Sequence, residues 1–188
     1  MNRRWLAGGL AAVAMAATCG GDKGVFSSGI DKAAELGRLG ASEVQKLCNA
    51  VTSWTTDQLA PQIKELSCRV TALTVSGLGG TSVGSAVQAA CTTAFDQCLK
   101  QGATDQSGGG ACSTPPATCK ATVGELESCL NAIEPLLQQY LTSIPTCQQL
   151  GGGSVTLPTS KPQAPQACVT FQSKCPGVAP PVGFAFGD

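Results

Sequence analysis

The sequence predicts an all-α protein, a small disulfide-stapled bundle of about four helices followed by an irregular Gly/Pro-rich C-terminal tail. Three observations carry this. Apolar residues recur at spacings of three and four between Val44 and Ile144, strand-like alternation is weak before residue 154, and ten cysteines from Cys48 to Cys175 thread the same stretch and its tail. The 188 residues suffice for one domain with a sizeable core.

The first segment is a targeting signal. Arg3 and Arg4 give a short positive start, and Trp5 to Ala17 is an apolar run of mostly small residues. That run falls well short of the roughly 20 residues a membrane span needs, so residues 1–18 read as a signal peptide. Ala16, Ala17 and Thr18 lead into Cys19, and Gly20, Gly21, Asp22 and Lys23 follow. This looks like a bacterial lipobox, in which the cysteine thiol is acylated and becomes the mature N-terminus. It departs from the preferred pattern at Ala16, where Leu is usual, and at Thr18, where Gly or Ala is. Cleavage near Ala17 without lipidation, releasing a secreted protein, is the alternative. The Arg3-Arg4 pair has only two residues ahead of it and no further twin-arginine signature.

Residues 19–30 continue as GGDKGVFSSGI after the cysteine, a composition that predicts a flexible tether between lipid and body. The helical domain then spans 31–149. A short helix is expected from Asp31 to about Leu39, weakened by Gly37 and Gly40. Ser42 with Gln45 forms a capping box that opens the next helix, whose face carries Val44, Leu47, Cys48 and Val51, with Trp54 near its end. Pro61 opens or breaks the following segment. Ile63, Leu66, Val70 and Leu73 place a second long helix over 57–75. Ser82 is positioned to cap a third, with Val87, Cys91, Ala94, Phe95 and Cys98 on one stripe up to Gly102. Residues 103–121 lack periodicity and read as a cystine-bearing loop.

Thr122 with Glu125 is a second capping box. It begins the most strongly patterned helix, with Leu126, Leu130, Ile133, Leu137, Tyr140, Leu141 and Ile144 spaced by threes and fours. Pro135 inside it predicts a kink, because its ring lacks an N–H and crowds the carbonyl four residues back. From Leu150 the composition turns to Gly, Pro, Ser and Thr, so 150–188 is expected to be irregular, tied down at Cys168 and Cys175, with a disordered end around Phe184 and Phe186.

With Cys19 acylated, Cys48, Cys68, Cys91, Cys98, Cys112, Cys119, Cys129, Cys147, Cys168 and Cys175 remain, an even set that predicts five disulfides in an exported chain. Structural zinc sites use closer pairs, often with histidine, and the tightest spacing here is C-x6-C. Thioredoxin-type C-x-x-C and haem-type C-x-x-C-H strings do not occur. Seven helical positions rise about 10.5 Å while bridged Cα atoms lie within about 7 Å, so Cys91 and Cys98 cannot bond each other in a helix. They are expected to staple that helix to neighbours bearing Cys48, Cys68, Cys129 or Cys147. In irregular chain, Cys168 is expected to pair with Cys175, and Cys112 with Cys119 unless Pro115 and Pro116 direct that loop toward Cys98 or Cys129.

The segments ASEVQKLCNAV, CTTAFDQC, ATCKATVGELESCLNAI and SIPTCQQL, taken in order, resemble uncharacterised cysteine-rich lipoproteins common in myxobacteria and their relatives. The resemblance spans roughly residues 40–149 and rests on cysteines among helices. It implies an exported, helical, disulfide-stapled protein and carries no activity or substrate with it.

Charge and residue types narrow the function. Twelve basic side chains balance twelve acidic ones and are scattered singly, so no footprint for a nucleic-acid backbone exists. The chain has no histidine, which excludes serine-histidine and cysteine-histidine catalysis within it. Glu125 and Glu127 lie two apart on a helix and face different ways, and Asp96 is a lone acid. The Gly-rich runs at 79–85, 107–110 and 151–153 lack the P-loop pattern and read as linkers. Trp54 and Tyr140 sit at core spacing, which favours burial over ligand stacking.

No catalytic residue, metal site or cofactor is therefore expected. The sequence favours a non-catalytic lipid-anchored protein of the bacterial cell envelope, at the outer membrane, with a structural or protein-contact role. Its expected partners are the membrane, through acyl chains such as palmitate on Cys19, and another envelope protein. A helical module binding a small hydrophobic ligand or lipid is the alternative, and a histidine-free hydrolase using Asp, Glu, Lys or Ser the second.

Overall fold

The structure is a computed structural model that describes residues 24–77, 84–101, 114–152, 158 and 162–178. Within them the protein is all-α, with helices α1 (Ala41–Trp54), α2 (Ala60–Val75), α3 (Ser85–Gln101), α4 (Val123–Ser143) and α5 (Gln166–Lys174). An isolated antiparallel bridge joins Glu35 to Thr122.

Residues 31–39 do not form the expected helix. The chain turns there and makes a single 3-10 turn at Leu36–Arg38. Gly37 explains it: its N–H donates to Cys119 O at 3.2 Å, and a Cβ on it would lie 2.7 Å from that same oxygen. The glycine permits a close backbone approach, so its place is set by a neighbouring segment and not by helix propensity. Helix α1 also starts one residue before the proposed Ser42 cap. Gly40 holds the N-cap position, and Glu43 Oε2 accepts its N–H at 3.0 Å. The acid three residues along is favoured over Gln45 because a carboxylate interacts better with the positive helix end.

α1 and α2 form one nearly unbroken run. They join through a π-helical turn at Thr55–Leu59, in which Ala60 N–H donates to Thr55 O five residues back. Pro61 follows in the first turn of α2, so the helix widens just ahead of the residue that cannot donate, and the chain continues instead of breaking. Leu59 at this junction is fully buried. The α2 helix thus starts at Ala60, where the periodicity suggests Asp57.

α2 packs on α3 and on α4, and α4 packs on α5. The core comes from Leu47, Val51 and Trp54 of α1, Leu66, Ala72 and Leu73 of α2, and Leu126, Leu130, Ile133, Leu137 and Leu141 of α4. α4 is entered by the Thr122 capping box, with Glu125 N–H on Thr122 Oγ1 at 3.3 Å and Thr122 N–H on Glu125 Oε2 at 3.0 Å. It continues through an exposed Pro135 to Ser143. α3 buries fully only Cys91, and Val87, Ala94, Phe95 and Cys98 are half-buried. It is held by two cystines, Cys91 to Cys147 and Cys68 to Cys98. Gly84 supplies its first accepting carbonyl, to Gln88 N–H at 3.0 Å, and Ser82 lies outside the described residues.

The tail departs most from expectation. Residues 166–174 are helical, with Cys168 and Phe171 buried, and the local pairings Cys168 to Cys175 and Cys112 to Cys119 do not form. The bonds are Cys129 to Cys168 and Cys119 to Cys175. Cys168 and Cys175 stand at the two ends of a helix, the same seven-residue separation that keeps Cys91 from Cys98. A nine-residue helix does not persist alone in water, so α5 depends on these two bonds and on Phe171. Cys48 is also disulfide-bonded. Residues 179–188 and the cysteines at 19 and 112 lie outside the described residues.

Candidate functional site

The most developed polar constellation joins the start of the described chain to α4. Residues 24–34 run antiparallel along this helix. Gly24 lies beside Glu134, where a Cβ would meet Oε2 at 3.4 Å. Phe26 is 98% buried, and its backbone is gripped twice by Asn131: Phe26 N–H donates to Oδ1, and Nδ2 donates to Phe26 O at 3.0 Å. Ser28 donates to Glu127 Oε1 from its N–H at 2.7 Å and from its Oγ at 2.8 Å. Lys32 O and Ala34 O then accept the first two N–H groups of α4, from Gly124 and Val123, both at 2.9 Å. With Thr122 Oγ1 on the third, the helix start is fully capped and holds no vacant donor for an anion.

This strap forms a clasp on α4. Of the tether expected over 19–30, residues 24–30 belong instead to the folded body, and residues 19–23 lie outside the described residues. Phe26 packs on Trp54 with ring centroids 5.5 Å apart, which ties the clasp to the end of α1, and Lys46 Nζ donates to Gly29 O at 2.6 Å. Gly29 has φ +66°, a left-handed conformation that glycine adopts without strain. Composition concealed the clasp, since GGDKGVFSSGI reads as linker. The available signal was Phe26, one of eight aromatic residues in the whole chain. A lone aromatic in a supposed leash has to be buried somewhere.

Glu127 carries the chemistry of the site. It is 3% exposed and accepts two hydrogen bonds from Ser28, while Lys32 Nζ stands 3.7 Å from its other oxygen. A buried carboxylate without such donors would be strongly disfavoured, so the clasp and Glu127 require each other. Ser28 is itself covered. The pair acts as a latch and exposes no nucleophile.

Glu125 and Glu127 face apart, as their spacing predicts. Glu125 caps α4 and pairs with Lys174 of α5. The Lys174 hydrogen bond holds its carboxyl below the ordinary value, burial opposes that, and the Thr122 N–H lowers it further. Asp96 is exposed on α3. Trp54 is core, and its Nε1 is buried without a hydrogen-bond partner among the described residues, as are Thr55 Oγ1 and Gln62 Oε1 near the π-helical turn. Tyr140 is half-buried on α4.

An open groove of about 470 Å³ is lined by Leu39, Ala41, Val44, Gln45, Cys48 and Thr114. It lies between the start of α1 and Thr114. Among the described residues no group of His, Cys, Asp and Glu is arranged to hold a metal, and no helix is long and apolar enough to cross a membrane. The disulfides place the folded body in an oxidising, extracytoplasmic environment. Comparison with known proteins finds no family model, curated protein or solved structure that matches the chain.

Proposed function

We propose that the protein is a non-catalytic, lipid-anchored component of the bacterial cell envelope, attached to the outer membrane through acylated Cys19 and serving as a structural or protein-contact module. The observation that carries it is the arrangement of the N-terminal region. A signal-like run ends at Cys19, and five residues later the chain is locked into a cystine-bonded body through Phe26, Ser28 and Glu127. An anchor joined to a rigid, cross-linked body transmits position, which is what a spacer or docking module needs. The acids and serine brought together are consumed in the latch, which supports a structural role over a hydrolytic one.

The test is the mature N-terminus. In a bacterial host the protein is expected to partition with detergent, and mass spectrometry is expected to find Cys19 acylated. One acyl chain binds membranes only marginally, so firm retention requires more than one. A mature N-terminus other than Cys19, or detergent partition unchanged by Cys19→Ser, refutes the anchor.

A further inference from the structure

We infer that the anchored protein presents the C-terminal half of α4 to the lipid surface, at a stand-off set by the clasp; this rests on acylation of Cys19. The clasp meets Glu127 at Ser28, Asn131 at Phe26 and Glu134 at Gly24, so the chain followed toward its N-terminus advances along α4 toward the later turns. It leaves the body beside Glu134. Cys19 to Gly24 is five residue steps, which span at most about 17 Å fully extended.

That reach is short against the body. A compact domain of the size spanned by residues 24–178 has a radius of gyration of about 15 Å, or a radius of about 19 Å if spherical. Turning the exit point to the side away from the membrane would take a leash of roughly 38 Å, more than twice the extended span available. Without the clasp, the eleven steps from Cys19 to Ile30 would reach about 38 Å, enough for the body to turn over. Docking of seven residues thus converts a free tether into an orienting one.

The surface so presented suits a bilayer. Between Pro135 and Ser160 the sequence has no Asp, Glu, Lys or Arg, and α4 exposes Pro135, Gln138, Gln139, Thr142 and Ser143 there. The helix up to its middle carries Glu125 and Glu127, with Glu134 just past the midpoint. The charges beside the half after Pro135 are Arg69, which donates to Leu141 O at 3.0 Å, and Glu65, which pairs with it, so contact with lipid headgroups there strips less ionic hydration than contact along the other half. Val25, at the exit point, is 66% exposed and apolar.

The experiment uses full-length acylated protein on phosphatidylcholine vesicles and a water-soluble amine-labelling reagent. Gln139→Lys, an exposed position, supplies a reporter, and Lys120, just ahead of the N-terminus of α4, is the internal reference; the start of α4 lies about 24 Å from position 139 along the axis. Relative to the soluble Cys19→Ser form, labelling at position 139 is expected to slow several-fold on vesicles while Lys120 is unaffected. Inserting about twelve Gly/Ser residues between Lys23 and Gly24 lengthens the leash enough to restore labelling. Equal protection at both positions, or none, in protein shown to be acylated and vesicle-bound overturns the orientation and leaves the anchor standing. Protection that survives the insertion overturns the role of the clasp. Protein that lacks the acyl mass and does not bind vesicles fails at the anchor itself.

Discussion

Replacing Phe26 with Ala is expected to release the clasp while the body stays folded. Burying the Phe26 side chain contributes up to about 3 kcal/mol. The two neutral bonds with Asn131 add about 1 kcal/mol each, and the two to the Glu127 carboxylate about 2 kcal/mol each. Against this total of about 9 kcal/mol, ordering seven backbone residues costs roughly 7 to 14 kcal/mol. The two sides are of the same size, so the docked clasp has little to spare for the loss of its largest contact. Phe to Ala in a buried site costs about 3 to 5 kcal/mol, more than such a balance can absorb.

Trp54 reports the event, because it touches Phe26 and is the one tryptophan left after residues 1–18 are removed. Its emission is expected to shift to the red in Phe26→Ala as water reaches the indole. Hydrogen exchange at the Phe26 and Ser28 amides is expected to rise to the rate of an unstructured chain. Amides in the middle of α4 should keep their protection, since α4 is held by its own core face and by the bond to Cys168. Unchanged exchange at Phe26 and Ser28 would refute the balance, and an equal loss of protection across α4 would show that the clasp is part of the global fold.

Two further perturbations test the staples and the helix start. Joint replacement of Cys129 and Cys168 by Ala, with Cys119 to Cys175 intact, frees a loop of about 18 residues and is expected to cost about 3 kcal/mol in denaturant unfolding, with α5 the first region to exchange. In the same material, peptide mapping without reduction is expected to join Cys48 to Cys112, the cysteine left once Cys19 carries lipid. Glu125 titrates below its ordinary value of 4.5 in the folded protein, so its ionised form is favoured by folding. Its contribution is fully present above pH 4.5 and is lost as pH falls through the lower native pKa, and Glu125→Gln is expected to flatten that acid limb of a stability–pH profile.

The helical periodicity made most of the fold legible in the sequence alone. The stripe from Leu126 to Leu141 has one amphipathic solution, and Thr122 with Glu125 marks its start, because both signals act within a few residues along the chain. The same local geometry excluded a Cys91 to Cys98 bond and sent each of them to a helix-domain partner, Cys147 and Cys68. Tertiary structure decided what composition concealed. Gly37 looked like a helix defect until Cys119 came within reach of it, and the 150–188 region looked irregular until Cys129 and Cys119 held Cys168 and Cys175 on α4's side of the body. Phe26 and Ser28 lie about a hundred residues from Glu127, so neither propensity nor spacing joins them to it. A short weakly patterned segment takes its structure from the surface it docks on, and that surface exists only once the distant helix has folded.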